Sequence, residues 1–122
     1  MTVGEIIEAL GLTAVAGLNE TESKVGGSDR QVLGGYASDL LSCVMAGATA
    51  DSVWVTLQAH PNVIAVADLL GLACVIITEG TQPDEQTIER ANEKGVAVLL
   101  SEETSYSVVS KLSALGIVGT HS

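Results

Sequence analysis

Phenylalanine is absent from this chain, and Tyr36, Trp54 and Tyr106 are its only aromatic residues. A core must therefore be built from Val, Ile, Leu and Ala, residues that suit parallel strands covered on both faces. Bases are nearly as scarce. Five Lys and Arg stand against 15 Asp and Glu, a formal net charge of −10. That surplus repels phosphate backbones and anionic membrane surfaces, so neither nucleic acid nor a membrane is an expected partner. The two cysteines, Cys43 and Cys74, sit in apolar stretches without metal or redox spacing. They are expected to be reduced, buried and inert. No apolar run reaches the roughly 18 residues of a membrane helix. The start, MTVGEIIEALG, carries acids and no basic segment, unlike a signal peptide. The expected compartment is the cytoplasm.

Catalytic signatures are missing as well. There is no GxGxxG, no phosphate-loop lysine, no GxSxG serine and no His/Cys/Asp group at metal-ligand spacing. Only two histidines exist, His60 and His121, the second close to the end. The chain is not expected to be an enzyme or to need a cofactor or metal.

What is present is a patterned α/β chain. At 122 residues it is one domain, able to bury roughly two thirds of its unfolded surface. Val3–Leu10 places Val3, Ile6, Ile7 and Leu10 on one helical face, with Thr2 as N-cap and Gly11 as stop. A short strand follows at Leu12–Ala16, then a polar, glycine-bearing loop with an irregular strand near Lys24 and Val25. Gln31–Tyr36 reads as a strand, and Ser38 as the cap of a helix over Asp39–Ala46. From Val53 the pattern alternates. Strands at Val53–Leu57, Ala73–Thr78 and Val96–Leu100 are separated by helices starting at Asn62 and at Pro83, with a last helix over Thr104–Leu115. Gly71, Gly95 and Gly116 are their stops, and Ile117–Val118 adds a short edge strand. Such alternation argues for a three-layer α/β fold, a mainly parallel sheet with helices on both faces. Residues 1–118 are expected to form the domain and residues 119–122 a loose tail.

Ligands of open α/β sheets bind outside the carboxyl ends of the strands. The turns leaving two strands there are Gln58-Ala59-His60-Pro61-Asn62 and Thr78-Glu79-Gly80. Gln58, His60, Asn62, Thr78, Glu79 and Gly80 are therefore the candidate ligand-binding residues, with Gly34 and Gly35 as a further backbone cradle. Asn62 supplies a helix start, Thr78 a hydroxyl at a strand end, and Gly80 room for close backbone approach. Glu79 favours a ligand with donor groups, or an anion accompanied by Mg²⁺. The plainer reading is that the same residues only cap and turn. Sparse charge and the apolar SDLLSCVMAGA segment predict a symmetric homodimer, although an Ala-rich core explains them equally well.

Four stretches carry a resemblance: VGEIIEALGLTAVAG, GGYASDLLSCVMAGA, VWVTLQAHPNVIAVADLLG and ACVIITEGTQPDEQTIERANEKGVAVLL. Together they resemble a DRTGG domain over nearly the whole chain, as a short stand-alone member. The beginning is also similar to the N-terminal domain of HPr kinase/phosphorylase. The resemblance implies a regulatory or dimerising α/β module related to the Mur-ligase N-terminal fold. The family occurs beside CBS domains in regulated pyrophosphatases and ahead of the catalytic part of some phosphotransacetylases. Where the family has its namesake Asp-Arg this chain has Gln58-Ala59-His60, and its Thr-Gly-Gly appears as Thr78-Glu79-Gly80. His60, mostly neutral at pH 7, is a weak replacement for the arginine. Asp29-Arg30 lies much earlier and reads as coincidental. The expected function is a non-catalytic regulatory module that self-associates and binds a small metabolite or nucleotide. The alternatives are a protein-interaction subunit without a ligand and, remotely, a small enzyme.

Overall fold

A computed structural model describes residues 1–18 and 27–119 of the chain. Helix α1 (Val3–Leu10) forms as its pattern requires. Thr2 accepts from the Glu5 N–H, and the Glu5 carboxylate reaches back to the Thr2 N–H, a reciprocal capping box. Gly11 ends the helix in the left-handed region, and Val3, Ile6 and Leu10 are buried. Strand β1 (Thr13–Ala16) follows. The irregular strand expected near Lys24 lies outside the described residues. A short 3₁₀ turn at Gly27–Asp29 leads to β2 (Gly34–Ala37), β3 (Ser52–Thr56), β4 (Cys74–Ile77) and β5 (Val98–Leu100).

The sheet has the order β1-β5-β4-β3-β2. Strands β2 to β5 are parallel neighbours, while β1 pairs antiparallel with β5. Each parallel step moves in one direction across the sheet. Right-handed crossovers therefore place their helices on one face. These are α2 (Leu41–Gly47), α3 (Pro61–Leu70) and α4 (Glu85–Lys94). Their side chains Val44, Val63, Ile64 and Ala91 pack on Trp54, Val75, Ile77 and Val98. Alternate strand residues Val53, Val55, Cys74, Ile76 and Leu99 face the opposite core, closed by α1 and by α5 (Ser105–Ala114). Helices on both faces of a mainly parallel sheet are what the alternation predicted. Among the described residues no helix is long and apolar enough to cross a membrane.

Two junctions show how tightly this frame closes. Gly17 has φ +80°, and a Cβ there would lie 1.8 Å from the Val96 carbonyl oxygen, so only glycine passes between β1 and the approach to β5. Trp54, the largest fully buried side chain, donates its indole N–H to the Ser38 carbonyl at 2.9 Å. That contact satisfies the one polar atom the ring carries.

Several local expectations are corrected. Helix α2 begins at Leu41 rather than Asp39, and Ser38 does not cap it: the Ser38 hydroxyl closes a turn by accepting from the Leu40 N–H at 3.1 Å. Asp39 is drawn away to β3 instead. Cys43 is exposed, not buried, because α2 buries only Val44 and the neighbouring position is turned about 100° around the helix. Cys74 is buried as expected, and burial pushes its thiol up to about 12. Helix α3 is capped by His60, whose Nδ1 accepts from the Asn62 N–H, and Asn62 falls inside the first turn. Pro61 occupies the first helical position, which needs no N–H of its own. Pro83 precedes α4 by two residues, and Asp84 is its cap. Ile117–Val118 forms no strand, but Gly119 makes a parallel bridge to Gly35.

Candidate functional site

At the carboxyl ends of β2 and β3 the chain builds a small polar frame around Asp39. One Asp39 carboxylate oxygen accepts from the Thr56 hydroxyl and from the Leu57 N–H, each at 2.8 Å. The Gln58 amide donates to the Asp39 carbonyl at 3.3 Å, and the Gln58 N–H to the Thr56 hydroxyl at 3.1 Å. Asp39 was not among the residues singled out from the sequence. The signal was a Ser-Asp pair just past a strand, which resembles a helix start and was read as one.

Across the sheet Thr78 is fully buried at the end of β4. Its hydroxyl lies 2.6 Å from the Ser105 hydroxyl and 3.4 Å from the Thr56 carbonyl, and its N–H also donates to that carbonyl. With one proton to give, Thr78 can donate to Thr56 while accepting from Ser105. Glu79 follows with φ +62°, a conformation rare outside glycine. Its carboxylate accepts from the Ser105 N–H at 2.9 Å and so serves the start of α5. The Glu79 and Gly80 N–H groups donate to the Glu103 and Ser101 carbonyls at 2.8 and 3.1 Å. The β4 and β5 connections are thereby joined directly. This is the one place among β2–β5 where successive connections leave toward opposite faces of the sheet, α4 to one and α5 to the other.

His60 and Asn62 stand further along, at the start of α3 beside the start of α4. There the Thr87 hydroxyl donates to the Ala59 carbonyl at 3.0 Å. Asp84 accepts from both the N–H and the hydroxyl of Thr87, which holds its carboxyl below the usual range. Glu103 is held low likewise, first by Lys111 at 2.7 Å and then by Ser107 at 2.8 Å. The structure thus gathers Gln58, Thr78, Glu79 and Gly80 along one rim, with His60 and Asn62 at its α3 end. Gly34 and Gly35 do not join them. They open β2 opposite Ser52 and Val53, at the other end of the strands. The rim carries Asp39, Glu79, Asp84 and Glu103, with Lys111 already paired to Glu103. Such a set can hold and orient a donor-bearing molecule through hydrogen bonds. Among the described residues no three His, Cys, Asp or Glu side chains gather as a metal site.

An α/β domain with helices on both faces of a mainly parallel sheet is the class that this fold defines. A family model described as the DRTGG domain covers residues 29–115, most of the chain, and the chain belongs to that family. No curated protein matches it. Among solved structures it is similar to the CBS and DRTGG domains of the regulatory region of Clostridium perfringens pyrophosphatase, crystallised with the activator diadenosine tetraphosphate. The TM-score is 0.68 at 15% identity, covering 91% of this chain and 45% of that one. At this identity the likeness is one of fold, and the chain spans less than half of that regulatory region's length.

Proposed function

We propose that this DRTGG domain is a non-catalytic regulatory module that self-associates and binds a small metabolite or nucleotide at the carboxyl ends of β3 and β4. The observation that carries the reading is the rim itself. Gln58, Glu79 and Gly80 stand along it beside the buried Thr78, with His60 and Asn62 at its α3 end, and acceptor oxygens predominate over cations. A nucleoside offering hydroxyl and amino donors suits such a rim, as does a phosphate that brings its own Mg²⁺. The Clostridium relative, whose regulatory region is complexed with a nucleotide activator, supports the ligand class. Gly34 and Gly35 are not part of the proposed site.

A second reading, a protein-interaction subunit without a ligand, is favoured by one observation. The Thr78–Ser105 and Glu79–Ser105 contacts fill the space between the β4 and β5 turns with the chain's own groups. A thermal-shift titration with AMP, ATP and diadenosine tetraphosphate, each with and without Mg²⁺, separates the two, because a ligand that binds only the native state raises its melting temperature. The expected result is a saturable rise that Thr78→Val and His60→Ala both weaken. No rise with any nucleotide supports the interaction reading. A rise that both folded variants retain moves the site elsewhere.

A further inference from the structure

The edge of the sheet at β2 carries an exposed, uncharged apolar surface. The run Leu40–Ala50, which contains α2, has no acidic or basic residue in a chain of net charge −10. Helix α2 buries only Val44, leaving Leu40 60% and Met45 50% exposed. One flank of α2 lies against the β2 edge. The Tyr36 hydroxyl donates to the Cys43 carbonyl at 3.1 Å, and a Cβ on Gly47 would sit 2.7 Å from the Tyr36 ring. That close approach pins the ring upright along the edge. Beside it opens a cavity of about 610 Å³, bounded by Gly35, Ala37 and Val55 on the strands and by Val109, Leu112 and Val118 beyond. None of its described lining residues is an acid or a base. The cavity exists because Gly35 and Ala37 present almost no side chain on the face that α5 only partly covers. Val118 and Val109, 67% and 39% exposed, continue the apolar surface outward.

We infer that a second copy of this chain docks on the β2 edge, the Leu40 and Cys43 flank of α2 from each protomer entering the mate's cavity between β2 and α5. This rests on the self-association proposed above and assigns its surface. The projecting flank and the hollow adjoin one strand, so a single two-fold axis beside that strand satisfies both at once, as an isologous contact requires. Charge selects the same occupant. Two protomers of net charge −10 repel across most of their surfaces, whereas neither the Leu40–Ala50 run nor the described lining of the cavity brings an acid. An acidic copy is therefore accepted here and disfavoured elsewhere. The burial also accounts for an apolar helix that one copy alone leaves mostly in water.

The test is light scattering at tens of micromolar on the full chain and on Leu40→Asp, Val118→Asp and Leu69→Asp. Leu40 is the N-cap of α2 and lacks a side-chain cap, so aspartate there supports the fold of the single copy while placing like charges in the interface. Leu69, 70% exposed on α3, controls for added charge alone. The expected result is a dimeric wild type and a dimeric Leu69→Asp variant. Leu40→Asp and Val118→Asp should have dimer dissociation constants raised roughly tenfold or more. Circular dichroism should show both still folded. A wild-type dimer indifferent to both interface charges overturns this surface and leaves self-association standing. A monomeric wild type overturns both, and leaves the edge to a different protein or a small apolar molecule. Equal loss in Leu69→Asp also overturns the assignment, since charge rather than place would then decide.

Discussion

Helices α1 and α2 are nearly equal in length, at eight and seven residues, yet they are held by opposite means. In α1 local signals and packing agree: a capping box, a left-handed glycine stop, three buried side chains on one stripe and acids on the other side. Helix α2 has no side-chain cap, one buried residue and no charge. What holds it is remote in sequence: Val44 seated in the core of Trp54 and Val63, and Tyr36 reaching the Cys43 carbonyl. Isolated helices this short are marginal in water, so each needs tertiary packing. The contrast lies in how much of that packing one copy supplies.

The largest test of the contrast is truncation of the buried anchors. Ile6→Ala in α1 removes a fully buried side chain and should cost about 2–5 kcal/mol in urea denaturation. Val44→Ala removes fewer buried atoms from α2 and should cost about half as much. A larger loss at Val44 would show that α2 is anchored in the single copy as firmly as α1.

The two thiols sharpen the difference between strand and helix. Cys43 on α2 should react quickly with a thiol reagent in the native protein, and Cys74 on β4 only on unfolding. Burial pushes the Cys74 thiol from its ordinary 9.0 up to about 12. A raised value means that the folded state keeps its proton after the unfolded chain has lost it. The contribution is complete below 9.0 and is lost as the pH rises toward about 12. Melting followed by circular dichroism should show stability falling by roughly 1 kcal/mol per pH unit across that window. Cys74→Ala should flatten the slope, and an unchanged slope would assign it to other groups.

The smallest effect is at the cap of α1. Thr2→Ala should cost about 1 kcal/mol, since it unmakes the box. Glu5, whose carboxyl is held low first by its backbone bond to Thr2, should lose its share of that support as pH falls through its depressed value. Alanine keeps the backbone N–H that donates to Glu5 and removes only the hydroxyl's part, so in the Thr2→Ala variant the acid limb should be shallower than in the wild type. An identical limb in both would show that the Thr2 hydroxyl gives the Glu5 carboxylate no support in solution.

The rim at the strand ends was partly legible for the same reasons that α1 was. Turn residues after apolar runs mark where strands stop, so Gln58, Thr78, Glu79 and Gly80 could be named. Asp39 could not. Its role depends on β2 and β3 lying side by side, which brings Thr56, 17 residues further along the chain, to its carboxylate. His60 was read as a surface turn or ligand residue and Asn62 as the cap. Either side chain can cap a helix, and only the path of the loop around Pro61 brings the imidazole to the free N–H.

By itself the sequence determined the class of fold, the parallel direction of β3 to β5, most helix ends and the family. Period, glycine stops and apolar runs are local properties that survive into any packing. Tertiary structure alone decided that Cys43 faces out and that Asp39 leaves its helix. It also decided that the β4 and β5 turns close on each other through Ser105, and that Gly35 and Ala37 leave a hollow at the sheet edge. Each of these follows from which distant segments become neighbours, and a one-residue rotation about a short helix or strand is enough to reverse it.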